Sequence, residues 1–242
     1  DGFQLKTNVN GEGNDSGSTY VYMAFADNIP GEGCDSLVDT PEQRADQSDD
    51  GSGGNIVGNY ATLNPLETHS GTFSDGNLNF KGGSAAWCKA VGSIKIPSSG
   101  KYYFEAEIKG SGSASHGVGL AENTAGSTES DLTTGDDYYC IINNTSTTVN
   151  KVSNGTATSL GAIGAFGVGD IFGIAVDGST KEIWIHKNGT YFSDLSPSGT
   201  ALLTGSGDLF PAVWGYNTSG EWVANFGQRP FAYTAPSGYK AL

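Results

Sequence analysis

The stretch 181-KEIWIHKNGTYF-192 decides how the rest of the chain is read. Ile183 and Ile185 alternate with Trp184 and His186, the two-residue period of a strand whose side chains point to opposite faces. Asn188-Gly189 follows, a pair that tolerates positive φ at both central positions of a tight hairpin turn. His186 is one of only three histidines and invites a catalytic reading. A strand buried on one face, or largely on both, asks no chemistry of it. No partner for it stands within reach in the sequence, so it reads as a packing or hydrogen-bonding residue.

The same punctuation runs outward from this hairpin. "NYATLNPL" and "GNLNFKG" are strand candidates around an "SDG" turn, and "AVGSIKIP" alternates until "PSSG" stops it. "KYYFEAEIKG" places Tyr103, Glu105 and Glu107 on one face and Tyr102, Phe104, Ala106 and Ile108 on the other. "SHGVGLA" and "DYYCIIN" follow, then "TTVNKVSNGTATSLG", a hairpin turning at Asn154-Gly155. "GDIFGIAVDGST" leads into the opening stretch, and "DLFPAVWGY" and "EWVANFG" close the series. About ten short strands with turn signals at near-regular spacing predict an all-β, antiparallel β-sandwich.

Composition supports this and removes several function classes. The 242 residues suffice for one large or two small domains, and 37 glycines with only 16% charged residues argue against helices. The formal net charge is −14, and residues 1–80 hold 13 of the 26 acids but only two of the 12 bases. Nucleic acid is disfavoured because phosphate binding needs clustered Lys and Arg, and an anionic membrane surface is disfavoured on the same ground. No apolar run approaches the roughly 18 residues that span a bilayer. Cys34, Cys88 and Cys140 are too few and scattered for a disulfide framework or a zinc site. One bridge with a spare thiol and three reduced thiols both fit.

Residues 1–26 and 27–56 differ from the rest. "TYVYMAFA" alternates Tyr20, Tyr22, Ala24 and Ala26 with Val21, Met23 and Phe25, giving the second strand of an N-terminal β-hairpin a strongly apolar face. A lone hairpin is not stable in water, so Tyr20, Val21, Met23 and Phe25 are expected to complete a sheet in this chain or in a neighbour. Residues 27–56 are an acidic, Gly-rich linker, a solvated loop whose Asp46, Asp49 and Asp50 are the candidate oxygen ligands of a structural Ca²⁺. Their spacing does not match the twelve-residue calcium loop. No other cofactor is expected. The chain starts at Asp1 without an initiator Met, and we read it as a processed form or a fragment.

Six ordered motifs then carry a family resemblance: "SSGKYYFEAEI" (98–108), "HGVGLA" (116–121), "GVGDIFGIAVD" (167–177), "KEIWIHKNG" (181–189), "LFPAVW" (209–214) and "VANFGQRPFAYTAPSGYKAL" (223–242). In this order they resemble the SPRY domain, over residues 57–242. The resemblance implies a concanavalin-like sandwich of two antiparallel sheets and a binding scaffold without catalytic residues. "DGFQLKT" and "SGSTYVYMAFAD" at the N-terminus look like the closing strands of a lectin-like domain in phage structural proteins. That arrangement implies an extracellular virion component of tail-fibre or adhesin type.

The functional expectation is therefore recognition of a host cell-surface glycan or protein by loops at one end of the sandwich. Three loops carry suitable groups: 121–139, 143–158 and 214–222. Aromatic faces stack on sugars while amides and carboxylates bind hydroxyls, so Asp136, Tyr138, Tyr139, Tyr216 and Asn217 are the candidate ligand contacts. Trp214 and Trp222 read as core residues flanking a hairpin. Two other readings compete. Residues 1–26 would build a fibre or homo-oligomer by strand exchange with other virion subunits. Alternatively, Glu105 and Glu107 on one strand face would act as the paired carboxylates of a polysaccharide-degrading enzyme. No "GxSxG", "HExxH", phosphate loop or Cys–His constellation supports catalysis.

Overall fold

The computed structural model describes residues 60–67, 70–83, 87–110, 116–122, 137–142, 148–153, 155–162, 166–192 and 196–242. The expectations on residues 1–56, namely the hairpin residues Tyr20, Val21, Met23 and Phe25 and the calcium ligands Asp46, Asp49 and Asp50, lie outside them, as does Asp136. The described residues all belong to a unit spanning Gln43–Leu242.

Fifteen strands are described. In chain order they are β1 (Gly71–Ser74), β2 (Asn79–Gly82), β3 (Trp87–Val91), β4 (Lys101–Ile108), β5 (His116–Ala121), β6 (Asp137–Ile142), β7 (Thr148–Ser153) and β8 (Thr156–Ala162). Then come β9 (Ile171–Asp177), β10 (Glu182–Lys187), β11 (Thr190–Tyr191), β12 (Leu203–Thr204), β13 (Phe210–Tyr216), β14 (Glu221–Asn225) and β15 (Lys240–Ala241). One sheet has the order β1-β2-β14-β4-β9-β10-β11, with β12 on β10 and β15 on β4. The second has the order β3-β13-β5-β6-β7-β8. Apart from the short parallel pairing of β15 with β4, the ladders are antiparallel. The architecture is the expected all-β sandwich of two antiparallel sheets.

Side chains that alternate along each strand fill the space between the sheets. Tyr102, Phe104, Ala106 and Ile108 of β4 meet Phe172, Ile174 and Val176 of β9 and Ile183 and Ile185 of β10 in one core. The second sheet contributes Cys88, Val118, Leu120, Tyr138, Cys140 and Val213 to the same core. Each large apolar side chain removed from water here is worth about 1.5–3 kcal/mol, the main term opposing chain entropy. Cys88 and Cys140 are buried free thiols, and burial pushes the Cys140 thiol far up from its usual value.

The opening hairpin forms as its residues require. Asn188 and Gly189 take φ of 49° and 82°, the paired left-handed conformation of a tight β-turn. The Asn188 side chain adds to this. Its Oδ1 accepts from the Ile171 amide at 2.9 Å, and its Nδ2 donates to Asp170 Oδ1 at 2.7 Å. Asp170 also pairs with Lys187 at 3.2 Å, so the "KNG" sequence ties β10 to the start of β9.

Two strand expectations need correction. Among the described residues 60–66 of "NYATLNPL" there is no strand: Leu63 makes an isolated bridge to Gly92, and Pro65–Glu67 is a 3₁₀ turn. Pro65 has no amide hydrogen to give a ladder, which favours that outcome. In the region of "AVGSIKIP" the strand is Trp87–Val91 and ends before Gly92. The alternating Ile94 and Ile96 instead pack on the core from irregular chain.

Candidate functional site

The hairpin between β13 and β14 presents the tip expected to meet a ligand. Trp214 and Trp222, on either side of it, are both fully buried, and the Trp222 indole Nε1 donates to the Trp214 carbonyl at 2.9 Å. Asn217 adopts φ 53° in a 3₁₀ turn over Asn217–Ser219, and its Oδ1 accepts from the Ser219 amide at 2.8 Å. The Gly82 amide donates to Gly220 O at 2.8 Å, fastening the turn to β2. Tyr216 stands out at 40% exposed. Its ring meets Trp87 edge-on, with centroids 5.3 Å apart. Trp87 and Tyr216 are direct cross-strand neighbours. A buried tryptophan hairpin thus holds up an aromatic side chain whose conformational freedom is already reduced, which lowers the entropy cost of binding.

Tyr138 and Tyr139, also expected at the ligand, belong to the interior instead. Tyr138 is 3% exposed in the inter-sheet core, and its hydroxyl lies 3.1 Å from Ser206 Oγ. Tyr139 is 1% exposed and stacks on Trp214 with centroids 4.3 Å apart. Both sit in β6, flanked by β5 and β7, so the strand alternation that divides them sends one to each buried face. Tyr139 backs Trp214, whereas Tyr138 lies level with Pro211, away from the tip.

A second polar constellation, absent from the expected contacts, lies on the outer face of the first sheet. Tyr103, Glu105 and His186 face outward, and Gly173 of β9 is paired with both Glu105 and His186. A Cβ at Gly173 would overlap the His186 ring and the Tyr103 hydroxyl, so only glycine leaves room for their contact. Tyr103 Oη is 2.9 Å from His186 Nε2 and donates to Glu105 Oε1 at 3.0 Å. Glu105 accepts from the amides of Ala232 and Tyr233, each at 2.8 Å. His186 Nδ1 accepts from the Gly189 amide at 3.1 Å.

The electrostatics follow from burial. His186 is held down to about 4 by desolvation, so it is neutral at ordinary pH. Desolvation also raises Glu105, although hydrogen bonds from Ala232, Tyr233 and Tyr103 favour its ionised form. The Tyr103 hydroxyl is raised far above its usual value, by burial first and then by the Glu105 charge. His186 is therefore a hydrogen-bonding residue, with one partner in the adjoining turn, Gly189, and one on a distant strand, Tyr103.

Glu105 and Glu107 do share one face, as their spacing predicts. Together with Ile171, Val223, Asn225 and Arg229 they line a cleft of about 210 Å³. Both Glu105 oxygens are already taken by protein donors, and Glu107 pairs with Lys109 at 2.5 Å. Glu105 is built as an anchor for the chain at 232–233. Among the described residues no three His, Cys, Asp or Glu side chains converge as a metal site.

The sequence model of the SPRY domain matches residues 101–229. The chain belongs to the SPRY family. SPRY domains are generally binding modules without enzymatic activity. The fold agrees: the SPRY domain of human HERC1 is similar at 17% identity over 67% of this chain and 96% of that one, with a TM-score of 0.50. A further human SPRY domain matches at 18% identity over 65% of this chain and 96% of that one, with a TM-score of 0.44. The carbohydrate-binding module CBM66 from Bacillus subtilis matches at 14% identity over 65% of this chain and 90% of that one, with a TM-score of 0.40. No curated protein matches the chain.

Proposed function

We propose that this SPRY sandwich is a non-enzymatic recognition module of an extracellular virion component, of phage tail-fibre or adhesin type, which binds a host cell-surface glycan or protein. The observation that carries the reading is the Tyr216 tip. It is an exposed aromatic side chain braced edge-on by Trp87, on a hairpin flanked by buried Trp214 and Trp222 and followed by the polar turn Asn217–Ser219. Aromatic anchors on rigid supports are the residues that dominate binding energies at interfaces. The virion setting rests on the sequence of residues 1–26, which resembles the end of a lectin-like domain of phage structural proteins. In that setting residues 1–26 join neighbouring subunits, and Asp46, Asp49 and Asp50 hold a structural Ca²⁺.

Labelled protein applied to a panel of aquatic bacteria should adhere to a host strain, and free surface polysaccharide or protein from that strain should compete. Retained fold with no adhesion to any strain would count against recognition.

A further inference from the structure

At the far end of β4 from the Tyr216 tip lies a cleft of about 380 Å³. Lys101 opens β4, whereas Ile108 closes it and pairs with Trp222 beside the tip. Eight strand residues separate the two places by roughly 23 Å. The cleft volume falls in the lower part of the range of small-molecule sites, about 300–1,000 Å³.

Its lining has a definite chemistry. Tyr191 and Tyr239 supply aromatic surface, and Ser196, Ser198 and Ser237 supply hydroxyls. Two prolines, Pro197 and Pro236, restrict the backbone of the walls. The one cation, Lys101, is already answered: its ammonium lies 3.6 Å from Asp177 Oδ2 and 5.5 Å from the Tyr239 ring centroid. The lining is thus close to neutral and rich in groups that both donate and accept. Ser196 and Ser198 hydroxyls already bond each other at 2.8 Å, a preformed arrangement on one wall.

The floor carries the decisive observation. Tyr239 is 4% exposed, and its buried hydroxyl has no hydrogen-bond partner among the described residues. Proteins seldom leave such a group unsatisfied. The hydroxyl is closed to solvent in this structure; with the wall slightly displaced, an incoming hydroxyl would reach it and supply what the fold withholds.

We infer that this cleft is a saccharide site taking one or two uncharged sugar rings, separate from the Tyr216 tip. Aromatic surface meets the apolar faces of the sugar, and the serine hydroxyls and the Tyr239 phenol meet its hydroxyl groups. An anionic ligand fits less well, since Lys101 is engaged and the chain carries a net charge of −14.

The test is amide NMR of the full chain titrated separately with the methyl glycosides of glucose, galactose, mannose and N-acetylglucosamine, with glucuronate and a proline-rich peptide as controls. At least one neutral glycoside should shift amides at 196–199 and 235–239 and at Lys101. Ser237→Trp, at an exposed rim position, should abolish those shifts without changing Tm. Tyr239→Phe should keep the fold and weaken binding by about tenfold, the equivalent of one hydrogen bond. Tyr216→Ala should leave the shifts intact, so that failure of the tip and failure of the cleft are told apart. The inference is overturned if no neutral glycoside shifts these amides, if the shifts survive Ser237→Trp, or if only glucuronate or the peptide produces them.

Discussion

Strand β4 is buried on both faces, and the two faces are held by different forces. Its inner face, Tyr102, Phe104, Ala106 and Ile108, packs into the apolar core between the sheets. Its outer face sets Tyr103 and Glu105 beside His186 and under Phe231, Ala232 and Tyr233. The inner face is held by dispersion and the removal of water, and it tolerates no loss of volume. The outer face is held by a connected set of hydrogen bonds, which tolerates no loss of a partner. One strand therefore answers to cavity formation on one side and to protonation on the other.

The contrast sets the order of expected effects. Phe104→Ala, on the inner face, should cost about 4 kcal/mol in chemical denaturation through transfer and cavity terms. A loss below about 1 kcal/mol would mean that the inter-sheet core is less tightly packed than described.

Acidification acts on the outer face. His186 is neutral in the folded chain down to about 4 but takes up a proton in the unfolded chain from its ordinary 6.5. Stability is therefore lost as pH falls from 6.5 towards 4, by about 3 kcal/mol in total. His186→Gln should lack that slope. The raised Glu105 works in the opposite sense, losing stability as pH rises through its folded value, but it is common to both proteins and cancels in the comparison. Equal pH profiles for the two proteins would refute the assignment of His186 as a buried neutral residue.

Glu105→Ala should have the smallest effect of the three, about 2 kcal/mol, because it leaves the amides of Ala232 and Tyr233 and the Tyr103 hydroxyl without their acceptor. The loss should be local as well as global. Hydrogen exchange should quicken at Ala232 and Tyr233 more than at the inner strands.

Much of this frame is legible in the sequence. The alternation of β4 and β10 gives both faces correctly, and the Asn188-Gly189 turn forms as its residues demand. What the alternation cannot show is that the outward residues are themselves covered. That depends on residues some 130 positions away, at 232–233, folding back onto Glu105. Tyr138 and Tyr139 mislead for the same reason: they adjoin a polar loop in sequence but lie between β5 and β7 in space. Tyr216 is exposed because it ends β13 at the hairpin, which the sequence does mark. Its neighbour Trp87 comes from a strand 129 residues earlier and leaves no local signal.

The central functional claim is that recognition at the hairpin tip runs through exposed Tyr216 and that buried Tyr138 and Tyr139 serve only the fold. It is tested most directly by measuring host-cell binding and Tm for Tyr216→Ala and Tyr138→Phe side by side. Tyr216→Ala should lose about tenfold or more in affinity at unchanged Tm, as expected for an anchoring aromatic residue. Tyr138→Phe should lower Tm and leave the affinity of the folded protein unchanged. Wild-type binding by Tyr216→Ala would contradict the account.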